Sequence, residues 1–171
     1  MPVLLPMRRE PVGTENLNAV LQAELNPTSR RGGEVGFRPG DKVMQLKNDY
    51  EREVFNGDIG WVRRVEDGIT FVDFDGGLRS YDADALDALT LSYASTIHKA
   101  QGSEFPGVLV VLSAAHHVLL TRSLLYTAVT RAKQLVVLVG DDRAIARAAR
   151  TMRERESHCR LAERLLLAQP G

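Results

Sequence analysis

Residues 89–140 read LTLSYASTIHKAQGSEFPGVLVVLSAAHHVLLTRSLLYTAVTRAKQLVVLVG, and this stretch decides the fold. Its segments Leu89–Ala94, Val108–Leu112 and Leu135–Val139 are short apolar runs, which are typical of buried β-strands. Between the last two runs, Arg122–Lys133 has the periodicity of a helix. Buried strands that alternate with helices predict a parallel α/β layer.

The residues on either side extend this pattern. Val3–Met7 is another short apolar run and predicts a strand, and Thr14 is a candidate N-cap for a helix that ends before Asn26-Pro27. Asp142–Ala149 predicts a helix after the last strand, and Arg153–Leu167 predicts a final helix rich in Arg, Glu and Leu. The apolar residues at helical spacing in the first helix are Leu17, Val20, Leu21 and Leu25.

Residues 34–88 have a different periodicity, since apolar residues alternate there with period two. Four strand candidates separated by Asn-Gly, Asp-Gly and Gly-Gly turns predict a small β-barrel of roughly fifty residues. The strand candidates are Lys42–Leu46, Ile59–Val65, Ile69–Phe74 and Leu78–Tyr81. We therefore expect an α/β domain made of residues 1–33 and 89–150, interrupted by this barrel and followed by a C-terminal helix or tail over 151–171.

Charge is distributed unevenly along the chain. The 171 residues contain 22 Lys and Arg against 22 Asp and Glu, so the net charge offers no case for nucleic-acid binding. Residues 34–90 carry 7 basic and 13 acidic side chains, whereas residues 91–140 carry 4 basic and one acidic. The single cysteine, Cys159, excludes an intrachain disulfide. No apolar run approaches the ~20 residues of a membrane span, and we expect a cytoplasmic protein without a membrane segment.

Two polar clusters have residue types suited to phosphate chemistry. The stretch TIHKAQGSEF, residues 96–105, directly follows a predicted strand, and ligands of α/β sheets bind at the carboxyl ends of strands. An ordinary polar turn is the alternative interpretation. Arg131 falls near the end of a predicted helix, where a rigidly held guanidinium can reach a γ-phosphate across a cleft. A solvated helical arginine is the alternative.

Taken together, these segments resemble a known family. TIHKAQGSEF and LLYTAVTRAKQLVVLVG resemble motifs V and VI of RecD-like superfamily-one DNA helicases, and VLLPMRREPVGTENLNAVLQAELNP resembles their motif IV region. GDKVMQLKNDYEREVFNGDIGWV resembles the Src-homology-3-like barrel that these enzymes insert into their second motor domain. The resemblance covers residues 3–140 and implies a RecA-like fold of the P-loop NTPase type for the parallel layer.

The resemblance also implies contacts with single-stranded DNA. Thr96 and His98 would contact its phosphate backbone, with Lys99 and Ser103 in support. Trp61, Phe71 and Phe74 of the barrel would either stack on bases or form the barrel core, and we favour the core.

The same resemblance implies half of a nucleotide site. Gly102 would let the backbone approach the nucleotide, and Glu104 would face the ribose. Arg131 would be the arginine finger, with Tyr126 and Thr130 holding its helix in place.

Motif IV would add a second arginine to the phosphates, either Arg8 or Arg9, of which we favour Arg9. Glu10 stands where family members commonly have glycine. No Gly-x-x-x-x-Gly-Lys-[Ser/Thr] string occurs in the chain, because the glycine-rich residues 32–36 lack the lysine. ATP and Mg²⁺ would therefore be bound mainly by a first RecA-like motor domain that precedes residue 1, and we expect the chain alone to be inactive.

These observations predict the C-terminal motor half of an ATP-dependent DNA helicase of 5′→3′ polarity, a type of enzyme used in DNA repair and recombination. The first alternative is a non-catalytic module that binds single-stranded DNA or a protein, and the second is part of a conjugative relaxase-helicase. The adjacent pair His116-His117 has no acidic or cysteine partner nearby, so we expect no metal site.

Overall fold

The computed structural model describes residues 1–9, 11–27 and 36–152, and its strands form two separate sheets. The strands are β1 (Val3–Leu5), β2 (Lys42–Gln45), β3 (Ile59–Glu66), β4 (Ile69–Phe74), β5 (Gly77–Tyr81), β6 (Leu89–Leu91), β7 (Ala94–Thr96), β8 (Phe105–Leu112) and β9 (Ala132–Gly140). The helices are α1 (Thr14–Leu25), α2 (Arg122–Val129) and α3 (Asp142–Arg150). Short 3₁₀ turns cover Ala85–Ala88 and Ala114–His116.

One sheet is parallel throughout, with the strand order β7-β1-β8-β9. Alternate residues of β8 point to the same face of the sheet as Leu4 and form a core there. Helices α2 and α3 pack on this core, because strand side chains repeat every two residues and helix side chains every 3.6. The fully buried side chains of this core include Leu4, Ile97, Val108, Val110 and Leu112. The predicted parallel α/β layer is confirmed.

The other sheet is antiparallel, with the order β5-β4-β3-β2-β6, and it forms the small β module inserted into the first. Its four predicted strands are present, and each end agrees within one residue. A β-bulge between Val62 and Arg64 increases the curvature of β3. Of the three aromatics considered in the sequence, Phe74 is core, Phe71 lies under the Arg64 guanidinium, and Trp61 is 47% exposed. The prediction that these aromatics form the module core is therefore confirmed for Phe74 and wrong for Trp61.

The chain returns from the module to the parallel sheet a few residues later than expected. The single strand predicted over Leu89–Ala94 is instead two strands, β6 in the antiparallel sheet and β7 in the parallel one. Ser92 and Tyr93 make the crossing between them. An apolar run of this length cannot reveal that its two halves pair with different partners, because pairing is a tertiary property.

Strand β9 is present, but the prediction that Leu135–Val139 is buried is wrong. Leu135 is 53% exposed and Val139 is 44% exposed. Strand β9 is the edge strand of the part of the sheet that the structure describes, and exposed residues occur on both of its faces, so the described elements cover neither face completely.

Helix α1 buries a polar face rather than the expected apolar one. Its buried residues are Thr14, Asn18 and Gln22, at successive i,i+4 positions, whereas Val20 and Leu25 are largely exposed. Asn18 Nδ2 donates to the carbonyls of Leu91 and Ala94 over 3.0 Å each, and Asn18 Oδ1 accepts from the Ala94 amide over 2.7 Å. The side chain thus holds the point where the chain leaves one sheet and enters the other.

A second polar contact ties the module to the parallel sheet. Asp41, at the start of β2, is fully buried, and its carboxylate accepts from four donors. Asn26 Nδ2 and the Tyr93 hydroxyl donate to Asp41 Oδ1 over 2.7 and 2.8 Å, and Gln22 Nε2 and the Arg38 amide donate to Oδ2. Burial, and then the hydrogen bond to Asp41, raises the pKa of Tyr93 to about 12.

Helix and strand ends differ slightly from the prediction. Strand β1 ends at Leu5 rather than Met7, because Pro6 has no amide to donate to a neighbouring strand. Helix α1 has Gly13 rather than Thr14 as its N-cap, and α2 ends at Val129 rather than Lys133. The predicted helix over residues 153–167 lies outside the described residues. Within the described ranges no helix has the length and apolar character that crossing a membrane requires.

Candidate nucleic-acid and nucleotide sites

The carboxyl end of β7 carries the first group of predicted site residues. Thr96 ends the strand, and the Ala100 amide then donates to its carbonyl over 3.1 Å in a tight turn. The Lys99 amide donates to Thr96 Oγ1 over 3.3 Å, so the hydroxyl stabilises the same turn. Ile97 and Ala100 are buried in the core, whereas His98 and Lys99 are exposed. The turn therefore presents the His98 imidazole to solvent, whereas the Lys99 ammonium lies 3.8 Å from Met44 Sδ of the module.

The second half of the same motif lies before the amino end of β8. Gly102 has φ +84°, in the left-handed region that favours glycine, and a Cβ there would meet nothing within 4 Å. Glycine is therefore favoured at position 102 by its backbone conformation, and not by a lack of space for a side chain within this chain. The Ser103 amide donates to the Ala100 carbonyl over 3.2 Å, and both Ser103 and Glu104 are exposed.

Arg131 lies beside this second half, between α2 and β9. Its Nε donates to the Thr127 carbonyl over 3.1 Å and its Nη2 donates to Thr130 Oγ1 over 3.2 Å. Its Nη1 donates to the Ser103 carbonyl over 3.2 Å, and the Phe105 amide donates to the Arg131 carbonyl over 2.8 Å. The guanidinium is consequently held in one orientation by the end of its own helix and by the neighbouring loop.

The two residues expected to hold this helix end contribute differently. Thr130 Oγ1 accepts from Arg131 and donates to the Tyr126 carbonyl over 2.9 Å, which closes the last turn of α2. Tyr126 contributes to this helix end only through its backbone carbonyl. Its side chain is 68% exposed and does not hold the helix in place. The phenol is therefore free to contact another molecule.

Glu104 has an ionic partner that the sequence reasoning did not select. Lys133 Nζ lies 2.9 Å from Glu104 Oε2, with both side chains more than half exposed. The hydrogen bond from Lys133, followed by its charge, holds the pKa of Glu104 below its ordinary value. The sequence contains no signal for this contact, because Lys133 and Glu104 come together only where β9 pairs with β8.

The two groups of site residues lie at opposite edges of the parallel sheet. Thr96 is level with Leu5, and the register of β1 with β8 places Leu4 beside Val110. Val111 of β8 is therefore level with Thr96. Phe105 lies six residues earlier in β8, which is a distance of roughly 20 Å along the strand. Glu104 and Arg131 share the amino edge, whereas Thr96, His98 and Lys99 lie at the carboxyl edge.

The motif IV arginines belong to the carboxyl edge as well. Arg8 and Arg9 follow β1, and Arg8 Nε lies 2.8 Å from Glu15 Oε1 in an exposed ion pair. Arg9 is exposed. The chain alone brings neither of them next to Arg131, because a parallel sheet separates residues that follow its strands from residues that precede them. Glu10 lies outside the described residues.

The histidine pair has a structural explanation. His116 is fully buried, its Nε2 lies 2.8 Å from the Val12 carbonyl, and its Nδ1 accepts from the Ser113 amide. His117 is exposed. His116 thereby ties the loop after β8 to the segment that leads into α1.

Comparison with known proteins accounts for both halves of the chain. Residues 17–74 match the family described as ATP-dependent RecD-like DNA helicase SH3 domain, and residues 91–139 match the UvrD-like helicase C-terminal domain. The chain is 46% identical over 154 residues to the ATP-dependent RecD2 DNA helicase of Deinococcus radiodurans, covering 89% of the chain and 22% of that protein. It is 36% identical over 138 residues to the RecBCD enzyme subunit RecD of Mycolicibacterium smegmatis, covering 81% and 24%.

Among solved structures, a crystal structure of the Pif1 helicase from Bacteroides in complex with ADP-AlF3 and single-stranded DNA has the same fold. It has a TM-score of 0.62 at 21% identity, over 97% of this chain and 44% of that one. The parallel sheet with the inserted SH3-like module is therefore a RecA-like fold of the helicase class. Within that class the chain belongs to the RecD-like DNA helicases and corresponds to their C-terminal helicase part. It spans about a quarter of the length of these two curated relatives.

Proposed function

We propose that the chain is the second motor half of an ATP-dependent, 5′→3′ DNA helicase, in which Arg131 is the arginine finger. A first RecA-like motor domain would supply the P-loop and the Mg²⁺ ligands, and ATP would lie between the two domains. Single-stranded DNA would be held at the carboxyl edge by Thr96, His98 and Lys99. The relatives named above support this proposal, because one of them is an ATP-dependent DNA helicase.

The observation that carries the nucleotide half is the fixation of Arg131. Three hydrogen bonds to its own domain orient the guanidinium before any nucleotide binds. A cation that is already oriented can stabilise charge developing on a γ-phosphate without reorganising at that moment. Glu104 lies at the same edge, next in sequence to Ser103, whose carbonyl accepts from Arg131.

The distance of roughly 20 Å between the two edges is consistent with separate sites for nucleotide and for nucleic acid. Nucleotide would be contacted at the amino edge and nucleic acid at the carboxyl edge. Ser103 is the exception among the residues proposed to contact DNA, since it lies with Arg131 and its carbonyl already accepts from the guanidinium. Its support of DNA binding would be indirect, through the loop that joins the two edges.

Substitution of Arg131 in the complete enzyme tests the proposal. Arg131→Ala should lower DNA-stimulated ATP hydrolysis on the order of 10³-fold, the range found for arginine fingers, while single-stranded DNA binding stays near the wild-type value. Arg131→Lys should also be strongly impaired, because an ammonium lacks the planar fork of donors. Near-normal turnover in both variants would contradict the proposed role.

Arg131 also holds Ser103 and the end of α2, so loss of folding needs separate measurement. Arg143→Ala, at an exposed arginine of α3, is the matched control and should leave turnover unchanged. The melting temperature of each variant then separates a local catalytic loss from destabilisation of the domain.

A second experiment tests whether the ATP site is shared between two domains. ATPase activity is measured for the chain with and without an added first motor domain, and clear turnover by the chain alone would contradict a shared site.

A further inference from the structure

The junction between the β module and the parallel sheet contains a groove. One wall comes from the carboxyl edge of the sheet, with Arg8, Thr96 and Lys99, and the other comes from the module, with Met44 and Leu46. The first residues of α1, Thr14 and Glu15, also line the groove. Lys99 Nζ reaches across the groove to within 3.8 Å of Met44 Sδ, so the ammonium stands between the two walls.

Two cations, Arg8 and Lys99, and one acid, Glu15, line this groove. Glu15 pairs with Arg8, and Lys99 makes no ion pair with any acid that the structure describes. Desolvation, and then the charge of Arg8, lowers the pKa of Lys99, as expected when two cations face the same space. Such an arrangement is unfavourable by itself and becomes favourable when an anion enters.

The anion would have to be held by side chains. The first amides of α1, the usual anion donors at a helix start, are already used here, because the Thr14 and Glu15 amides donate to the carbonyls of Met7 and Arg8. Arg8 and Lys99 are the remaining donors with positive charge in the described part of this groove.

We propose that Arg8 and Lys99 together bind one backbone phosphate of single-stranded nucleic acid, so that Arg8 serves the nucleic-acid site and not the nucleotide. This rests on the proposed function. Binding exchanges the Arg8–Glu15 ion pair for an Arg8–phosphate pair, and the strand then passes along the groove beside Met44 of the module. Arg8 lies at the edge that carries Thr96 and is separated from Arg131 by the length of the strands.

Fluorescence anisotropy with a labelled oligothymidylate, without nucleotide, tests the proposal across a series of salt concentrations. Arg8→Ala should weaken binding on the order of three- to fivefold at low salt. It should also reduce the slope of log affinity against log salt by about 0.7, the value for one phosphate of a single strand. Lys99→Ala should do the same. The double variant should lose less than the product of the single effects, because both side chains hold one phosphate.

The matched control is Arg9→Ala, one residue away with the same charge, which should change the slope much less. Glu15→Gln should tighten binding by releasing Arg8, whereas Glu24→Gln, at an exposed acid farther along α1, should have a smaller effect. Equal losses for Arg8→Ala and Arg9→Ala would overturn the proposal in favour of diffuse attraction. If Arg8→Ala keeps the wild-type salt slope, the Arg8 proposal is overturned and the proposed function is unaffected. If the unmodified chain does not bind the oligonucleotide at all, both the Arg8 proposal and the proposed function are overturned.

Discussion

At the scale of single residues, the site depends on side chains that are held before a ligand arrives. Thr96 is fixed by its own turn, Arg131 by three hydrogen bonds, and Glu104 by Lys133. The sequence could propose candidate site residues because motifs V and VI are continuous strings, and their roles stay predictions. Their partners could not, because Lys133 meets Glu104 only through the pairing of β8 with β9.

The Glu104–Lys133 pair makes a prediction about acid titration. Lys133→Gln should move the carboxyl titration of Glu104, followed by NMR, upward towards the ordinary value, because the largest cause of its lowered pKa is removed. The contribution of the pair to stability is present above the ordinary glutamate pKa and is lost as the pH falls through the lowered one. Lys47→Gln, at an exposed lysine of the module, should leave the titration unchanged. An unaltered midpoint in Lys133→Gln would show that the ion pair does not form in solution.

At the scale of elements, polar side chains decide how the two sheets join. The sequence of α1 predicts a helix, but its apolar positions suggested the wrong buried face. Burial of Asn18 and Gln22 is possible because each finds partners at the crossing between the sheets, and these partners are distant in sequence. The same limit applies to β9, whose apolar composition predicts a strand correctly but says nothing about whether it has neighbours on both sides.

Asn18 gives the element-scale prediction. Asn18→Ala removes three hydrogen bonds and leaves the buried Ala94 amide without its side-chain acceptor, so the free energy of unfolding should fall by about 3 kcal/mol in urea denaturation. Asn16→Ala, in the same helix, loses one exposed hydrogen bond and should change stability by less than about 0.5 kcal/mol. Equal effects of the two substitutions would contradict the role of Asn18 at the crossing.

At the scale of the whole molecule, two tyrosines link stability to alkaline pH. Burial raises the pKa of Tyr81 in the module to about 12, as burial and Asp41 do for Tyr93 at the junction. An unfolded tyrosine ionises near pH ~10, so the folded state holds these protons more tightly. The contribution is complete below about pH 10 and is lost as the pH rises towards 12.

Urea denaturation at successive pH values between about 9 and 12 checks this prediction. The free energy of unfolding of the wild-type chain should decline over this range, and that of Tyr93→Phe should decline less steeply. Tyr126→Phe, at an exposed tyrosine, should follow the wild-type curve and so controls for the titration of lysines. Identical declines in Tyr93→Phe and the wild type would exclude a contribution from the junction.

The Asp41 carboxylate also bears on the history of the molecule. One of its oxygens accepts from Asn26, where the chain leaves the RecA-like layer, and from Tyr93, where the chain returns to it. The departure and return points are therefore neighbours, and the strands of the host layer keep their order whatever is carried between them. A module whose two chain ends lie side by side can be lengthened, shortened or replaced without displacing the strands of the layer that carries it.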